Sequence, residues 1–279
     1  AYLKWLNPGY SLVENIRKVI LSPGGMFLSE PAFLLYDEVR ELKNYMAVLK
    51  AIGAGKHALN EISHHSFQAS TAVNAYLSTL QELRLVERRL PVTVRPGERG
   101  RSRSGRYHLS DPYFRFYFHF LAPFQDNPML SVDQILEQIQ KDLRAFVGAT
   151  SFEELCRQWA IAEGKAGNLP FAPLAVGSHW SRRTQVDVVA INWESKEILL
   201  GECKWGTDKI DHQVARELID KKTSLMLLDL PQMGQGWKVH NVLFGRHGFT
   251  DAAKTEMKKA GGLCVDLKQI DTVLGKAEA

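Results

Sequence analysis

Residues 185–205, QVDVVAINWESKEILLGECKW, constrain the fold of this chain more than any other stretch. Two apolar segments separated by a polar turn predict two adjacent β-strands. Asp187 lies in the first strand, and Glu202 and Lys204 lie in the second. Because strand side chains alternate between faces, Glu202 and Lys204 should project to one side and Cys203 to the other. Charges in core strands are costly unless they are paired or used, so this strand pair is also the candidate site.

The composition is that of a globular protein of about two domains. The chain has 279 residues, of which 45% are hydrophobic and 24% charged. It has no apolar run near the roughly 20 residues of a membrane span and no basic-then-apolar leader. We therefore expect a cytoplasmic protein with no membrane partner. Three widely spaced cysteines without CxxC spacing predict buried free thiols rather than a disulfide framework or a zinc site.

The order of elements predicts an α/β chain with a helical N-terminal part. In 1–44, Ser11 and Glu14 form a capping box that opens the first of two short helices, at about 12–21 and 31–42. Two short helices cannot bury a core alone. We therefore expect this part to be the remnant of a larger helical unit, and the chain to be a fragment.

Residues 45–122 predict three helices followed by a β-hairpin, the plan of a winged helix-turn-helix. The predicted helices and strands lie at 45–54, 57–64, 71–83, 85–94 and 107–109. The stretch from Pro91 to Ala122 holds six arginines and two acidic residues, a net charge of +4 that equals the whole chain's. Five arginines of the hairpin loop are predicted to contact phosphates of duplex or branched DNA: Arg95, Arg99, Arg101, Arg103 and Arg106. The alternative is a solvated loop on a helix-turn-helix that contacts only protein.

The remaining sequence predicts a linker helix and a mixed-sheet domain. The aromatic segment 111–124 is expected to form an interdomain packing helix rather than to stack on bases. A linker helix follows within 123–148; the helix itself lies at 131–146 and ends at Gly148. Helices and strands alternate in the domain 149–279, which predicts a mixed α/β sheet covered by helices. The elements are helices at 151–163, 211–223 and 251–260, and strands at 174–176, 185–192, 198–204, 237–244 and 264–266.

The charges of the strand pair suit metal-dependent phosphodiester hydrolysis. Asp187 and Glu202 supply hard oxygen ligands of the kind that Mg²⁺ or Mn²⁺ prefers. Lys204 lies on the same face as Glu202, where it could orient water or stabilise charge on a phosphate. Glu153 or Glu154, from the preceding helix, could complete the metal shell. The alternative is a cluster of ion pairs on the sheet surface.

These residues resemble the motif of the PD-(D/E)XK nuclease superfamily, whose members share the restriction-endonuclease-like fold. Asp187 matches the strand aspartate, and Glu202-Cys203-Lys204 matches (D/E)xK. Val186 stands where the superfamily name has proline. The Holliday-junction-resolvase-like branch of the superfamily also takes a glutamate from the earlier helix, which implies Glu153, with Glu154 as the competing choice. The resemblance implies catalysis by these residues, with metal held by Asp187, Glu202 and Glu153.

A second resemblance covers nearly the whole chain. The segments AYLKWL, SLVENI, LVERRLPV and SGRYHLSDPYFRFYFHFLAP resemble the C-terminal half of archaeal-type AAA+ ATPases. In that family an ATPase domain precedes a winged helix and a nuclease-like domain. The chain lacks G-x-x-x-x-G-K-S/T, and Gly53-Ala-Gly-Lys56-His57 puts His where Ser or Thr should hold Mg²⁺. We therefore expect no ATPase activity from this chain alone, and an ATPase domain as a partner.

Three polar residues outside the strand pair stay open to two interpretations. Gln213 begins the helix after the strand pair, where the superfamily often places an auxiliary polar residue; simple helix capping by Asp211 is the alternative. Arg182 and Arg183 precede the Asp187 strand and could reach a phosphate, or lie in a solvated loop.

The function predicted first is a DNA-binding, metal-dependent deoxyribonuclease module of an archaeal-type ATPase. A catalytically idle DNA- or protein-binding regulatory module is the alternative. A signalling or defence component, in which the helix-turn-helix contacts protein, is a third hypothesis.

Overall fold

The computed structural model describes residues 2–125, 127 and 129–277, so Asp126 and Pro128 of the predicted linker lie outside the described residues. Two compact units divide the chain. The helical unit comprises residues up to Arg89 together with Gly105–Leu143, and the sheet unit comprises Leu90–Ser104 together with the chain from Arg144 onward. The overall class is therefore α/β, with a helical part followed by a mixed-sheet part.

The predicted capping box is confirmed at the start of the helical unit. The hydroxyl of Ser11 accepts from the Glu14 backbone N–H at 3.2 Å, and the Glu14 carboxylate accepts from the Ser11 N–H at 2.9 Å. Helix α1 (Leu12–Asn15) begins here and continues as a π turn over Ile16–Ile20.

The second helix, α2, spans Met26–Tyr36 and not 31–42 as predicted, with Pro31 inside it. Proline has no N–H, so it cannot donate to the carbonyl four residues earlier, that of Phe27. The hydroxyl of Tyr113 donates to this carbonyl instead. Tyr113 therefore supplies the hydrogen bond that the Phe27 carbonyl would otherwise lack. This helps the helix to tolerate Pro31 in its interior, although proline usually marks the first turn of a helix.

Three helices and a β-hairpin follow in this unit, close to the predicted bounds. They are α3 (Leu42–Gly53), α4 (Leu59–Ser66), α5 (Ser70–Glu82), β1 (Val86–Arg89) and β2 (Arg106–Leu109). The two strands pair antiparallel. The first strand is shorter than the predicted 85–94, because from Leu90 the chain belongs to the sheet unit.

The aromatic segment packs inside the helical unit. It forms α6 (Pro112–Phe116), a π turn over Tyr117–Leu121 and α7 (Ala122–Gln125). Five of its rings are buried: Tyr113, Phe114, Tyr117, Phe118 and Phe120. Rings held in a core cannot stack on bases, so packing rather than stacking is confirmed, but these rings pack within the helical unit and not as the predicted interdomain helix.

Gly148 does not end the linker helix, and that prediction was wrong. Helix α8 (Val132–Val147) continues through a π turn over Gly148–Phe152 into α9 (Glu153–Ala166). Glycine at 148 serves close packing instead, because a Cβ there would lie 3.1 Å from the Cβ of Trp205.

The sheet unit holds a five-stranded mixed sheet in the order β3-β4-β5-β6-β7, as the sequence predicts in type. The strands are β3 (Ala175–Trp180), β4 (Gln185–Asn192), β5 (Glu197–Lys204), β6 (Lys238–Gly245) and β7 (Leu263–Asp266). The pairs β3–β4 and β4–β5 are antiparallel, whereas β5–β6 and β6–β7 are parallel.

Helices cover both faces of this sheet. One core cluster includes α9 and the unpredicted helix α13 (Leu267–Ala277). The other includes α10 (His212–Arg216), a π turn over Glu217–Lys222, α11 (Thr223–Asp229) and α12 (Asp251–Lys259). Because both faces are covered, β4 and β5 are buried along most of their length.

The three cysteines were predicted to be buried free thiols; all three are free, but only Cys156 is buried, and Cys203 and Cys264 are half-buried. Across the described residues, no helix combines the length and apolar character that a membrane crossing requires.

Candidate active site on strands β4 and β5

A β-bulge in β4 sets the position of Asp187. Gly177 of β3 pairs with Val189, but His179 pairs with Val186. Asp187 and Val188 therefore both lie opposite the single residue Ser178. Bulges re-aim side chains and occur often beside functional sites. The core clusters show the same change, because Val186 packs in one cluster and Val188 in the other.

Glu202 is a buried carboxylate, 6% exposed, that is held between two ammonium groups. Its Oε1 accepts from Lys204 Nζ at 2.8 Å, and its Oε2 accepts from Lys222 Nζ at 2.5 Å. The contact with Lys204 shows that the two side chains share a face, as strand alternation predicts. Cys203 packs against the opposite core cluster.

Asp187 and Glu153 lie close enough to this carboxylate to repel it and each other. Burial and the charge of Glu202 raise the pKa of Asp187, against a 3.0 Å hydrogen bond that its Oδ2 accepts from the Cys203 backbone N–H. Burial and the charge of Asp187 raise the pKa of Glu153 to about 8. If all three carboxylates were ionised they would outnumber the two lysines, and this repulsion contributes to the raised pKa values of Asp187 and Glu153.

Arg157 decides between the two glutamates of α9. It donates from Nε and Nη2 to Glu154 Oε2, at 3.2 and 2.9 Å, and lies 3.6 Å from Glu153 Oε2. Its Nη1 also donates to the backbone carbonyl of Asp187 at 3.2 Å. Glu154 is therefore engaged by the arginine, whereas Glu153 interacts with Asp187 and Glu202. Glu153 is the better third carboxylate.

The structure thus brings together Glu153, Asp187, Glu202 and Lys204, which we call the acidic cluster. Gln213 does not join it. Its side chain is exposed and makes no hydrogen bond to the acidic cluster within the described part of the chain, and its backbone N–H donates to Asp211 Oδ1 at 2.9 Å. At Gln213 the structure therefore agrees with the alternative interpretation, in which Asp211 caps the helix.

Two basic residues of the site were missed by the sequence analysis. Arg157 stands three and four residues after Glu154 and Glu153, a helical spacing that predicts ion pairs and that we did not use. Lys222 lies 18 residues beyond Lys204 on another element. No local pattern distinguishes it from Lys221, since only the tertiary fold brings it to Glu202.

The side chains of the acidic cluster are of a type that can bind a metal ion, but their arrangement is less favourable. Carboxylate oxygens in a site short of positive charge suit a divalent cation. Among the described residues, however, no three His, Cys, Asp or Glu side chains are grouped closely enough to hold a metal ion. Both oxygens of Glu202 are also occupied by lysines. A cation bound to Glu202 would therefore share these oxygens with the lysines or replace one of the lysine contacts.

The predicted DNA-contacting arginines fall in two places. The segment Leu90–Ser104 belongs to the sheet unit, and its four arginines are exposed: Arg95, Arg99, Arg101 and Arg103. Arg106 starts β2 in the helical unit and is half-buried, and burial lowers its pKa. Of the two open arginines, Arg183 donates to Asp229 Oδ1 at 2.6 Å, whereas Arg182 is exposed.

Comparisons with known proteins give a family without an assigned activity. Residues 117–218 match DUF234, a family described as archaeal and bacterial proteins of unknown function. The chain is 31% identical over 202 residues to an uncharacterized protein of Methanocaldococcus jannaschii, covering 72% of this chain and 44% of the relative. It thus spans less than half the length of that relative. No solved structure matches the chain significantly.

Proposed function

We propose that the chain is a DNA-binding, metal-dependent nuclease module of the PD-(D/E)XK type, working as the C-terminal half of an archaeal-type ATPase. The observation that carries the proposal is the acidic cluster. A buried carboxylate, Glu202, a half-buried one on the adjacent strand, Asp187, and a third from a helix, Glu153, lie near Lys204. A helix followed by three antiparallel strands and two parallel additions is compatible with a restriction-endonuclease-like fold.

The charges of the acidic cluster fit this chemistry. Asp187, Glu202 and Glu153 would hold Mg²⁺ or Mn²⁺, which supplies charge neutralisation and Lewis acidity at a phosphate. Lys204 Nζ, at 2.8 Å from Glu202, is 44% exposed, so it can reach both the carboxylate and an incoming group. Glu202 and Asp187 raise its pKa against the effect of burial. Lys204 is therefore charged at neutral pH, which suits stabilising a phosphate or orienting a water molecule.

The helical unit supplies the proposed winged helix-turn-helix, with α3–α5 followed by the β1–β2 hairpin. This arrangement is compatible with α5 entering a major groove and Arg106 contacting phosphate. The ATPase domain stays a proposed partner, because the relative extends well beyond the matched region.

A second candidate function is a catalytically idle binding module. The two lysine contacts of Glu202 and the missing three-ligand group among the described residues favour it. In that case the carboxylates and lysines form a closed ion-pair network whose role is structural.

Cleavage and metal binding separate the two functions. Wild type, Asp187→Asn, Glu202→Gln and Lys204→Ala are incubated with Mn²⁺ and labelled duplex, branched and single-stranded DNA. The nuclease proposal expects cleavage by wild type, a loss of at least about 100-fold in each variant, and Mn²⁺ binding that weakens in the two acid variants. Equal cleavage by wild type and Lys204→Ala contradicts it. DNA binding without cleavage or Mn²⁺ binding favours the idle module.

A further inference from the structure

The segment Leu90–Ser104, which we call the arginine segment, is a strongly basic stretch of the sheet unit. It carries four arginines and one glutamate, Glu98, a net charge of +3 in 15 residues. All four arginines are exposed, and none forms an ion pair within the described part of the chain. Arg99 Nε donates to the Val94 carbonyl at 3.5 Å. Without carboxylate partners, the four arginines keep their charge, and the other Arg99 donors stay available for a ligand.

The stem of this segment is anchored to the edge strand β3. The Val92 N–H donates to the Ser178 carbonyl at 2.9 Å, and Thr93 Oγ1 lies 2.9 Å from His179 Nδ1. At the returning end, the indole N–H of Trp180 donates to the Ser104 carbonyl at 2.9 Å.

Packing supports these bonds. Val92 is 4% exposed and belongs to a core cluster of the sheet unit. A Cβ on Gly177 would come within 3.0 Å of the Val92 Cβ, so the stem and β3 are in tight contact. The stem is therefore fixed to the sheet while the arginine-bearing turn, Pro96–Arg101, stays exposed.

The arginine segment follows β3 along its outer edge. Its outgoing arm brings Arg95 and Pro96 to an open cavity that is also lined by Leu174 and Trp193. Its returning arm ends at Ser104, bonded to Trp180. From Leu174 to Trp180 is about 20 Å at about 3.3 Å per residue. At about 3.4 Å per nucleotide, this length corresponds to about six nucleotides of one strand.

The anchor also lies in register with the acidic cluster. Ser178, which accepts from Val92, is the residue opposite Asp187 at the bulge. Neighbouring strands lie about 5 Å apart, so about 10 Å, or about three nucleotides, separates the backbones of Val92 and Asp187.

We propose that the arginine segment is the phosphate-binding surface of the sheet unit and holds a nucleic-acid strand along β3, beside Asp187. This inference deepens the proposed function and rests on it for the role of the acidic cluster. Arginine rather than lysine, spaced by Gly and Ser, suits bidentate contact with phosphates. From Arg95 to Ser104 there is no large apolar side chain to enter a lipid layer, so a nucleic-acid backbone fits better than a membrane surface.

The test measures DNA binding by the full chain in EDTA, where no turnover is needed. The variant Arg99→Ala/Arg101→Ala/Arg103→Ala is compared with a control that removes three exposed positive charges elsewhere, Arg40→Ala/Arg144→Ala/Lys268→Ala. Fluorescence anisotropy with labelled single-stranded and duplex DNA is recorded from 50 to 300 mM salt. We expect the first variant to lose at least about tenfold in affinity and its log–log salt slope to fall by about 2 to 3. The control should stay within about twofold.

Further variants keep the outcomes interpretable. Replacing the same three arginines by lysine should restore most of the salt slope, which a damaged fold would not, and circular dichroism checks folding of each protein. Equal affinity of the triple alanine variant and wild type overturns the inference, and so does an equal loss in the control. Binding to phosphatidylserine vesicles without DNA binding would overturn it in favour of a membrane partner. Absent cleavage in Mn²⁺ with this binding pattern intact would overturn only the nuclease proposal.

Discussion

Two of the β-hairpins in this chain, β1–β2 and β4–β5, carry charges in opposite ways. In β1–β2, Glu87 pairs with Arg89 at 2.5 Å and Arg115 at 3.9 Å, and its side chain is 43% exposed. In β4–β5, Glu202 also pairs with two cations, but its side chain is only 8% exposed. Exposed ion pairs are usually worth 1 kcal/mol or less, whereas buried charges dominate the local energetics. A glutamate paired with two cations is thus a solvent-exposed ion-pair group in β1–β2 and part of the candidate site in β4–β5.

The buried groups of the two hairpins are also of opposite type. The first buries a base, His108, whose ring stacks on His57 with centroids 4.3 Å apart. Burial and the neighbouring His57 lower the pKa of His108 to about 2. The second holds an acid, the half-buried Asp187, whose pKa is raised, and Asp187 in turn raises the pKa of Glu153 on α9. Each hairpin therefore favours the neutral form of its group, and the two should respond to pH in opposite directions.

The largest effect is expected from Glu153→Gln. A folded pKa of about 8, against 4.5 unfolded, means that folding takes up a proton between these values, so stability falls as pH rises from 4.5 to 8. At pH 7 the substitution should stabilise the chain by about 3 kcal/mol, and by almost nothing below pH 4.5. Urea unfolding with EDTA present measures this, with Glu87→Gln as the exposed control. A destabilised variant at pH 7 would contradict the assigned repulsion.

Glycine substitutions compare how tightly the two hairpins pack. A Cβ on Gly201 in β5 would lie 2.9 Å from side-chain atoms of both Val188 and Phe244, inside the core. A Cβ on Gly105 would meet only the guanidinium of Arg88, the flexible end of a side chain. We expect Gly201→Ala to destabilise by about 2 kcal/mol and Gly105→Ala by less than about 0.5 kcal/mol. Equal losses in urea unfolding would remove this contrast.

The pH response of the first hairpin is expected to run the other way. Because the pKa of His108 is about 2 folded and 6.5 unfolded, the unfolded chain takes up the proton first as pH falls below 6.5. This should cost about 1.4 kcal/mol at pH 5.5 relative to neutral pH. His108→Phe should lack this loss. The difference in unfolding free energy between wild type and variant, followed from pH 7.5 to 5, tests it; a constant difference would refute it.

The smallest expected effect is a change in Mn²⁺ affinity when a lysine that contacts Glu202 is removed. If Lys222 occupies the oxygen of Glu202 that a cation needs, Lys222→Gln should bind Mn²⁺ about two- to fivefold more tightly, the worth of one partly exposed ion pair. Arg89→Gln, which removes the matching cation from Glu87, should leave Mn²⁺ affinity unchanged. Isothermal titration measures both, and weaker Mn²⁺ binding by Lys222→Gln would show that the lysine supports the site rather than blocks it.

Features of the fold that depend on neighbouring residues could be predicted from the sequence, whereas features that depend on contacts between distant residues could not. Strand β4 was predicted at its observed bounds, because an apolar run between polar turns is a local signal. The shared face of Glu202 and Lys204 follows from alternation within one strand. Lys222 and the destination of the arginine segment depend on contacts between elements far apart in sequence, and neither could be predicted.

Gly148 shows how a distant contact can also make a local prediction wrong. The sequence analysis gave glycine its usual local meaning, a helix break. Here its small size is needed by Trp205, 57 residues later in the chain. Asp187, Glu202 and Lys204 were found from sequence because each lies in a strongly patterned strand, whereas Glu153 was preferred to Glu154 only through the resemblance to the nuclease superfamily.

The bulge at Asp187 has a consequence for how this strand can change in evolution. One residue more on β4 than on β3 is equivalent to a single insertion kept within a strand. Deleting Val188 would restore regular pairing and keep Val186 and Val189 in the layer that they already share, but Asp187 would then take the place of Val188 opposite Ser178. Insertions and deletions are therefore expected to be excluded from this position in functional relatives. An alignment of such relatives with regular strands should need a one-residue gap there.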